Sequence, residues 1–280
     1  LGGSADLAPS NKTELKDMKD FPNGRNIHFG IKEHAMAAIV NAMNLYGLFR
    51  VYSATFFVFS DYLKPSARIA ALAGIPQHFI WTHDSIGVGE DGPTHQPIEH
   101  LSQFRALPNF YTFRPADATE NVEAWKIALK MNAPTAFVCS RQGLKVLKDE
   151  KSYGDVCNGG YLLTKRENAT ITIMASGSEV NLALQTACAL EKEGILANIV
   201  SVPCFDLLLE QDETYINKII DQKTRVYAVE AARALEYYKY ADVVFGMDSF
   251  GASGPADKLF DEFGFTVDKL KTKIIEDLKK

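Results

Sequence analysis

From Ala54 to Ser140 the chain alternates short β-branched or aromatic runs with longer stretches whose apolar residues recur at helical spacing. Strand, helix and parallel strand units have this appearance in sequence. The runs predict strands at Arg50–Ser53, Gln77–Thr82, Asn109–Phe113 and Thr135–Ser140. Lys32–Tyr46 carries Ala, Met and Ile on several faces, which predicts a buried helix ended by Gly47. Ala116–Met131 is expected as a second helix, with Asp117 three residues before Glu120 at capping-box spacing. Phe56, Phe59 and Tyr62 recur every three residues, near one helical face, and Pro65 is expected to kink or restart that helix.

Between about Val146 and Gly160 the periodicity lapses into Lys, Asp, Glu, Ser and Gly, as a linker between domains does. The alternation then resumes, with strands expected at Thr170–Ala175, Asn198–Val202, Arg225–Val229 and Asp242–Gly246 and helices at Glu179–Glu193 and Ala232–Tyr240. The expected fold is α/β: two tandem three-layer domains with mostly parallel sheets, over residues 1–148 and 161–280, joined by a linker at 149–160.

At 280 residues, 46% of them apolar, each unit is long enough to bury a core. A formal charge of −5, with both signs mixed along the chain, excludes the basic footprint of a nucleic-acid binder and a polybasic membrane patch. An anionic substrate must therefore meet a local cluster. Cys139, Cys157, Cys188 and Cys204 lack CxxC spacing and read as reduced thiols, which points to the cytoplasm. No run approaches the ~20 apolar residues of a membrane helix. Leu1 is not a methionine, and Leu1 to Ser4 reads as the end of a strand entering a loop, so the chain is expected to begin inside a longer protein.

In open parallel sheets the ligand crevice lies outside the carboxyl ends of the strands. The strand ending at Thr82 enters a loop from His83 to Gln96 with two histidines, three acids and three glycines, and the strand ending at Ser140 delivers Arg141 and Gln142 to the same edge. His83, Asp91 and His95 have three readings: metal ligands, acid–base groups, or a turn whose side chains cap one another. Their spacing matches no compact zinc pattern, and no calcium loop is present. Glu33, in the first turn of a buried helix, either stabilises that helix end or is a partly buried acid able to donate a proton. The aromatic stripe reads first as core packing, and the Ser176-Gly177-Ser178 turn as structural.

Gly3 to Asn11 (GSADLAPSN), His28 to Glu33 (HFGIKE) and His83 to Gln96 resemble the transketolase family in order and spacing, and Phe260 to Asp268 resembles its closing segment. The resemblance covers essentially the whole chain. It implies the family's pyrimidine-binding domain followed by its C-terminal domain. It further implies reversible transfer of a two-carbon ketol unit from a ketose phosphate to an aldose phosphate, in the pentose phosphate pathway, with thiamine diphosphate as cofactor.

Residue by residue, the resemblance puts Glu33 on the acid that hydrogen-bonds the cofactor's aminopyrimidine and promotes its imino form. Phe56, Phe59 and Tyr62 fall on the aromatic pocket around that ring. Ser10, His83 and Arg141 match positions that hold the sugar's terminal phosphate, and Asp91 matches the residue that reads hydroxyl stereochemistry. His95 matches the histidine at the donor's hydroxymethyl ketone end. His28 receives no role.

The family's Gly-Asp-Gly run for diphosphate and metal does not occur; the nearest match, Glu90-Asp91-Gly92, belongs to the substrate loop. No metal ligand is therefore expected in this chain. Magnesium or calcium would be held by a missing N-terminal portion, which also carries a helix and the first strand of the pyrimidine domain. The expected partners are that portion and a second copy in a homodimer, and the chain alone is expected to be inactive. Rival readings are a related thiamine-diphosphate enzyme such as dihydroxyacetone synthase, or a noncatalytic module that pairs with a full-length enzyme.

Overall fold

A computed structural model describes residues 1–147 and 155–280, so the first part of the expected linker lies outside the described residues. The first sheet contains β1 (Gly2–Ser4), β2 (Asn26–His28), β3 (Tyr52–Phe56), β4 (His78–Thr82), β5 (Tyr111–Phe113) and β6 (Thr135–Cys139). Its order is β2-β1-β3-β4-β6-β5, parallel throughout. Helices α1 (Ala8–Asn11), α2 (Glu33–Tyr46), α3 (Ser60–Ala73), α4 (His100–Arg105) and α5 (Ala118–Ala128) connect the strands. Both faces of such a sheet are covered, so β4 and β6 read as nearly unbroken apolar runs rather than alternating ones.

The second sheet contains β7 (Tyr161–Thr164), β8 (Ile171–Ala175), β9 (Ala197–Ser201), β10 (Arg225–Val229) and β11 (Val243–Phe245). Its order is β11-β10-β8-β9-β7, with β7 antiparallel to β9 and the other pairs parallel. Around it lie α6 (Glu179–Glu191), α7 (Phe205–Leu209), α8 (Glu213–Ile219), α9 (Ala256–Glu262) and α10 (Val267–Leu278). The expected α/β architecture with mostly parallel sheets is what the chain adopts.

Local expectations fared unevenly. Gly47 ends α2 in the left-handed region at φ +81°, and the Asp117 carboxylate caps α5 by accepting from the Glu120 amide at 2.9 Å. The capping box is not reciprocal, because the Glu120 carboxylate is spent on the Ala116 amide, the Ser201 hydroxyl and the Tyr161 hydroxyl. The expected strand at Arg50–Ser53 lies two residues late, at β3, so Phe56 closes a strand instead of sitting on a helix face. Phe57–Phe59 form a single tight turn, and α3 runs on through Pro65 without restarting. A helix over Ala232–Tyr240 does not form: Ala234 takes φ +55°, which leaves one short turn at Leu235–Lys239.

An aromatic cluster of Phe57, Phe79, Trp81, Phe104 and Phe110 fills the first domain, with Trp81 and Phe104 centroids 4.4 Å apart. Ile86, Ile98 and Ala116 of that domain join the apolar cluster of Ile171, Ile173, Val180 and Leu259 in the second. The loop after β4 is thereby packed into the neighbouring domain's core.

Candidate active site

The chain runs from β1 out to β2 and then returns to the other side of β1 as β3, so β1 and β3 flank a switch point where helices leave in opposite directions. Ser10 follows β1, Glu33 follows β2, Phe56 ends β3, His83 follows β4 and Arg141 follows β6. These five expected site residues therefore stand at the carboxyl ends of parallel strands, on one sheet edge. Ser10, His83 and Arg141 line a single cavity of about 640 Å³, together with Lys12, Thr82, Trp125 and Ser140.

A chain of ring contacts links the two expected subsites. His83 stacks on Phe56 at 3.7 Å between centroids, Phe56 on Phe59 at 5.9 Å, and Phe59 reaches Tyr62 at 6.1 Å and His95 at 5.4 Å. The stripe grades from buried to open: Phe56 is 9% exposed and packs as a core residue does, whereas Tyr62 stays 65% exposed. The neighbouring Phe57 is fully buried.

His83 is held in the left-handed region at φ +66°, uncommon for a residue with a side chain, and its Nδ1 lies 2.8 Å from the Thr82 hydroxyl. Thr82 in turn donates to Asn11 Oδ1 at 2.7 Å, which ties β4 to the end of α1. Nε2 of His83 remains for a ligand. Burial, and then the nearby Arg141 guanidinium, push the His83 imidazole down to about 4 against the opposing pull of Asp84 and Asp91. At neutral pH it is an uncharged hydrogen-bonding group, and the cavity's positive charge comes from Arg141 and Lys12. Sequence reasoning did not single out Lys12. A lysine beside the Ser10 position in a loop of polar residues was the available signal.

Glu33 is the first residue of α2 and 7% exposed, and among the described residues its carboxylate takes part in no hydrogen bond or ion pair. Its oxygens are not sealed from solvent, and an amino group or ring nitrogen of a ligand arriving at that edge would meet a free acceptor there. That acceptor beside a sheet edge carrying an aromatic wall fits an aminopyrimidine ring. Asp91 is exposed, and His95 is half-buried with Nδ1 2.9 Å from the Thr94 hydroxyl.

The arrangement that escaped the sequence reading lies behind the loop. Arg114, fully buried, grips Asp84 through Nε at 3.0 Å and Nη2 at 2.8 Å, and reaches across to Glu179 at 2.6 Å and the Ser176 carbonyl at 3.0 Å. Arg105 holds both oxygens of Glu230, at 2.7 and 2.9 Å. Gln96 donates to the carbonyls of Gly89 and Ala252, and Ser253 donates to that of Glu90. The second domain thus braces the His83–Gln96 loop from beneath. Gly177 belongs to this brace: at φ +55°, a Cβ there would stand 2.8 Å from the Arg114 guanidinium carbon. Its turn is structural, as read, but it receives an arginine from the other domain.

A two-domain α/β chain whose cavity of about 640 Å³ opens at the carboxyl edge of a parallel sheet has the form of an α/β ligand-binding fold. Residues 1–146 match the family model of the transketolase pyrimidine-binding domain, and residues 159–266 that of the transketolase-like C-terminal domain. The chain belongs to the transketolase family. It is 47% identical to the transketolase of Halalkalibacterium halodurans over 95% of its own length and 42% of the relative's. Its structure superposes on that of Campylobacter jejuni transketolase with a TM-score of 0.95 at 59% identity, covering 99% of this chain and 43% of the other. The chain therefore spans less than half the length of these relatives. A protein described as a split-gene transketolase, an inactive β4 tetramer, shares the fold at TM-score 0.81 and 24% identity, covering 100% of this chain and 92% of that one.

Proposed function

We propose that this chain is the pyrimidine-side portion of a transketolase, and that it transfers two-carbon ketol units between sugar phosphates once joined by a diphosphate-binding portion. The observation that carries the reading is the unbroken run from Arg141 and His83 in the cavity, through Phe56 and Phe59, to Tyr62 and His95. It supports a reading in which an anion subsite at Arg141 adjoins a heterocycle subsite at the aromatic rings, the arrangement a sugar phosphate reacting at a thiamine cofactor would need.

In this reading Glu33 hydrogen-bonds the pyrimidine, while Phe56, Phe59 and Tyr62 enclose it. When bound, thiamine diphosphate supplies the nucleophilic carbon and the electron sink for two-carbon transfer. This chain's own residues do the rest. Arg141 and Ser10 bind the terminal phosphate, and His83 joins them as a donor once its Nε2 carries a proton, since Nδ1–H is the side that meets the Thr82 hydroxyl. Asp91 reads a hydroxyl, and His95 orients the ketone end and moves a proton there. The metal, magnesium or calcium, belongs to the other portion, as does the diphosphate site.

The chain covers 42% of the length of its transketolase relative, so the diphosphate-binding portion invoked in this reading lies outside the part the two share. The split-gene protein offers the same pattern, a chain of similar extent described as inactive. Dimerisation, a place in the pentose phosphate pathway and a cytoplasmic location follow from the family reading. No helix among the described residues is long and apolar enough to cross a membrane. The test is turnover of xylulose 5-phosphate and ribose 5-phosphate with thiamine diphosphate and magnesium. Activity should appear only when the N-terminal portion is added; turnover by these 280 residues alone would refute the proposal. Glu33→Ala should remove most of the reassembled enzyme's activity while leaving assembly intact; unchanged turnover would favour a noncatalytic module that pairs with a full-length enzyme.

A further inference from the structure

We propose that Asp61, Glu99 and His100 form a surface site for a single Zn²⁺ ion, separate from the crevice and from any metal held by another portion of the enzyme. The three come together only in the fold: Asp61 lies in the first turn of α3, Glu99 immediately precedes α4, and His100 begins it. One donor atom from each lies within 4.8 Å of the other two. Imidazole nitrogen with carboxylate oxygens is a donor set that zinc accepts, with a fourth position left to water.

The histidine shows why this is more than an acidic patch. The His100 side chain is only 4% exposed, yet neither ring nitrogen makes a hydrogen bond. Nε2 nevertheless stands 3.2 Å from Asp61 Oδ2, and Nδ1 stands 3.7 Å from Glu99 Oε2. A carboxylate that near without a hydrogen bond sits to one side of the direction in which the ring nitrogen points. Two ligands of one tetrahedral zinc, each ~2.0–2.1 Å from the ion, lie about 3.3 Å apart with the ion between them, off the line joining them. The Nε2 to Oδ2 separation of 3.2 Å matches that spacing, and Glu99, recorded nearest the other ring nitrogen, has to swing its half-exposed carboxylate round to the same ion.

Charge points the same way. Neither Asp61 nor Glu99 forms an ion pair with a lysine or arginine among the described residues, so two carboxylates share one imidazole. Both are half-exposed, which leaves the ion a path in and lets the side chains close on it. The His100 ring is fixed from behind by Phe57, with centroids 5.5 Å apart, so an ion there would fasten the start of α4 to the first turn of α3, next to Tyr62.

Zinc titration of the 280-residue chain, in competition with a chromogenic chelator and after alkylation of the two exposed cysteines, Cys157 and Cys188, tests the site. The expected result is one equivalent bound with micromolar affinity and a rise in thermal midpoint reversed by EDTA. Affinity should fall at least ~100-fold in both H100Q and the double variant D61N/E99Q. Should H100Q fail to fold, the double variant decides, since its two positions are half-exposed and no packing depends on their charge. No zinc bound by the alkylated chain, or equal affinity in the double variant, overturns the proposal.

Discussion

Replacing Arg114 by Met tests the interdomain brace directly. The guanidinium is wholly buried, and its carboxylate partners Asp84 and Glu179 are each 2% exposed. Methionine keeps much of the side-chain volume, so the loss is electrostatic. Removing one member of a buried ion pair typically costs about 3–5 kcal/mol, because the abandoned charge stays desolvated. Here two carboxylates are abandoned at once, against a whole-domain stability of ~5–15 kcal/mol. A loss of about 4 kcal/mol or more is therefore expected. Urea unfolding is the assay, with Trp81 and Trp125 reporting the first domain by fluorescence and circular dichroism reporting both. The two transitions should separate, because the braced interface no longer couples the domains.

The variant should also carry a pH signature. Burial already raises the Glu179 pKa, and Arg114 is the chief influence holding it down. Without the arginine the folded protein takes up a proton that the unfolded chain, near 4.5, releases, so the deficit should shrink as pH falls from 8 toward 5. Adding D84N and E179Q should restore most of the stability at neutral pH. A loss under ~1 kcal/mol with no new pH slope would mean that Arg114 is not what joins the domains.

Three further outcomes are expected. Glu120, buried between the domains, has its pKa pushed up to about 7 by burial, so the folded state binds its proton more tightly than the unfolded one. Wild-type stability should then fall by about 3 kcal/mol as pH rises from 4.5 through 7, and E120Q should flatten that slope in urea titrations at several pH values. Gly177→Ala should lose ~1–3 kcal/mol by thermal or urea unfolding, since it forces a side chain into left-handed backbone against Arg114. Arg141→Ala in the reassembled enzyme should raise KM for phosphorylated substrates by ~1.5–3 kcal/mol while sparing an unphosphorylated ketose; equal loss on both would contradict a phosphate contact.

What could be read in sequence was whatever is encoded locally or by motif. The alternation of runs set the α/β class, Gly47 marked the end of a buried helix, and Asp117 marked the start of another. The loop from His83 to Gln96 and the arginine after β6 were placed on one edge by strand logic alone, and the structure gathers Ser10, His83 and Arg141 around one cavity there. The period of the aromatic residues misled, because a three-residue spacing is the same on a helix and across a strand end followed by a tight turn. Only the fold shows that Phe56 and Phe59 stack toward His83.

The remainder depends on distance along the chain. Arg114 and Glu179 are 65 residues apart, and Arg105 and Glu230 are 125 apart, so no window of sequence distinguishes these partners from solvated surface charges. An arginine's character follows from its burial, and burial follows from how two domains close on each other. The same closure sets Glu120 against Ser201 and Tyr161 and raises its pKa, while packing within the first domain gives His83 its low pKa and His100 its unpartnered ring, none of which an amino-acid name can specify. Sequence determined the edge on which the chemistry lies; tertiary packing decided the charge state and rigidity of the groups that carry it.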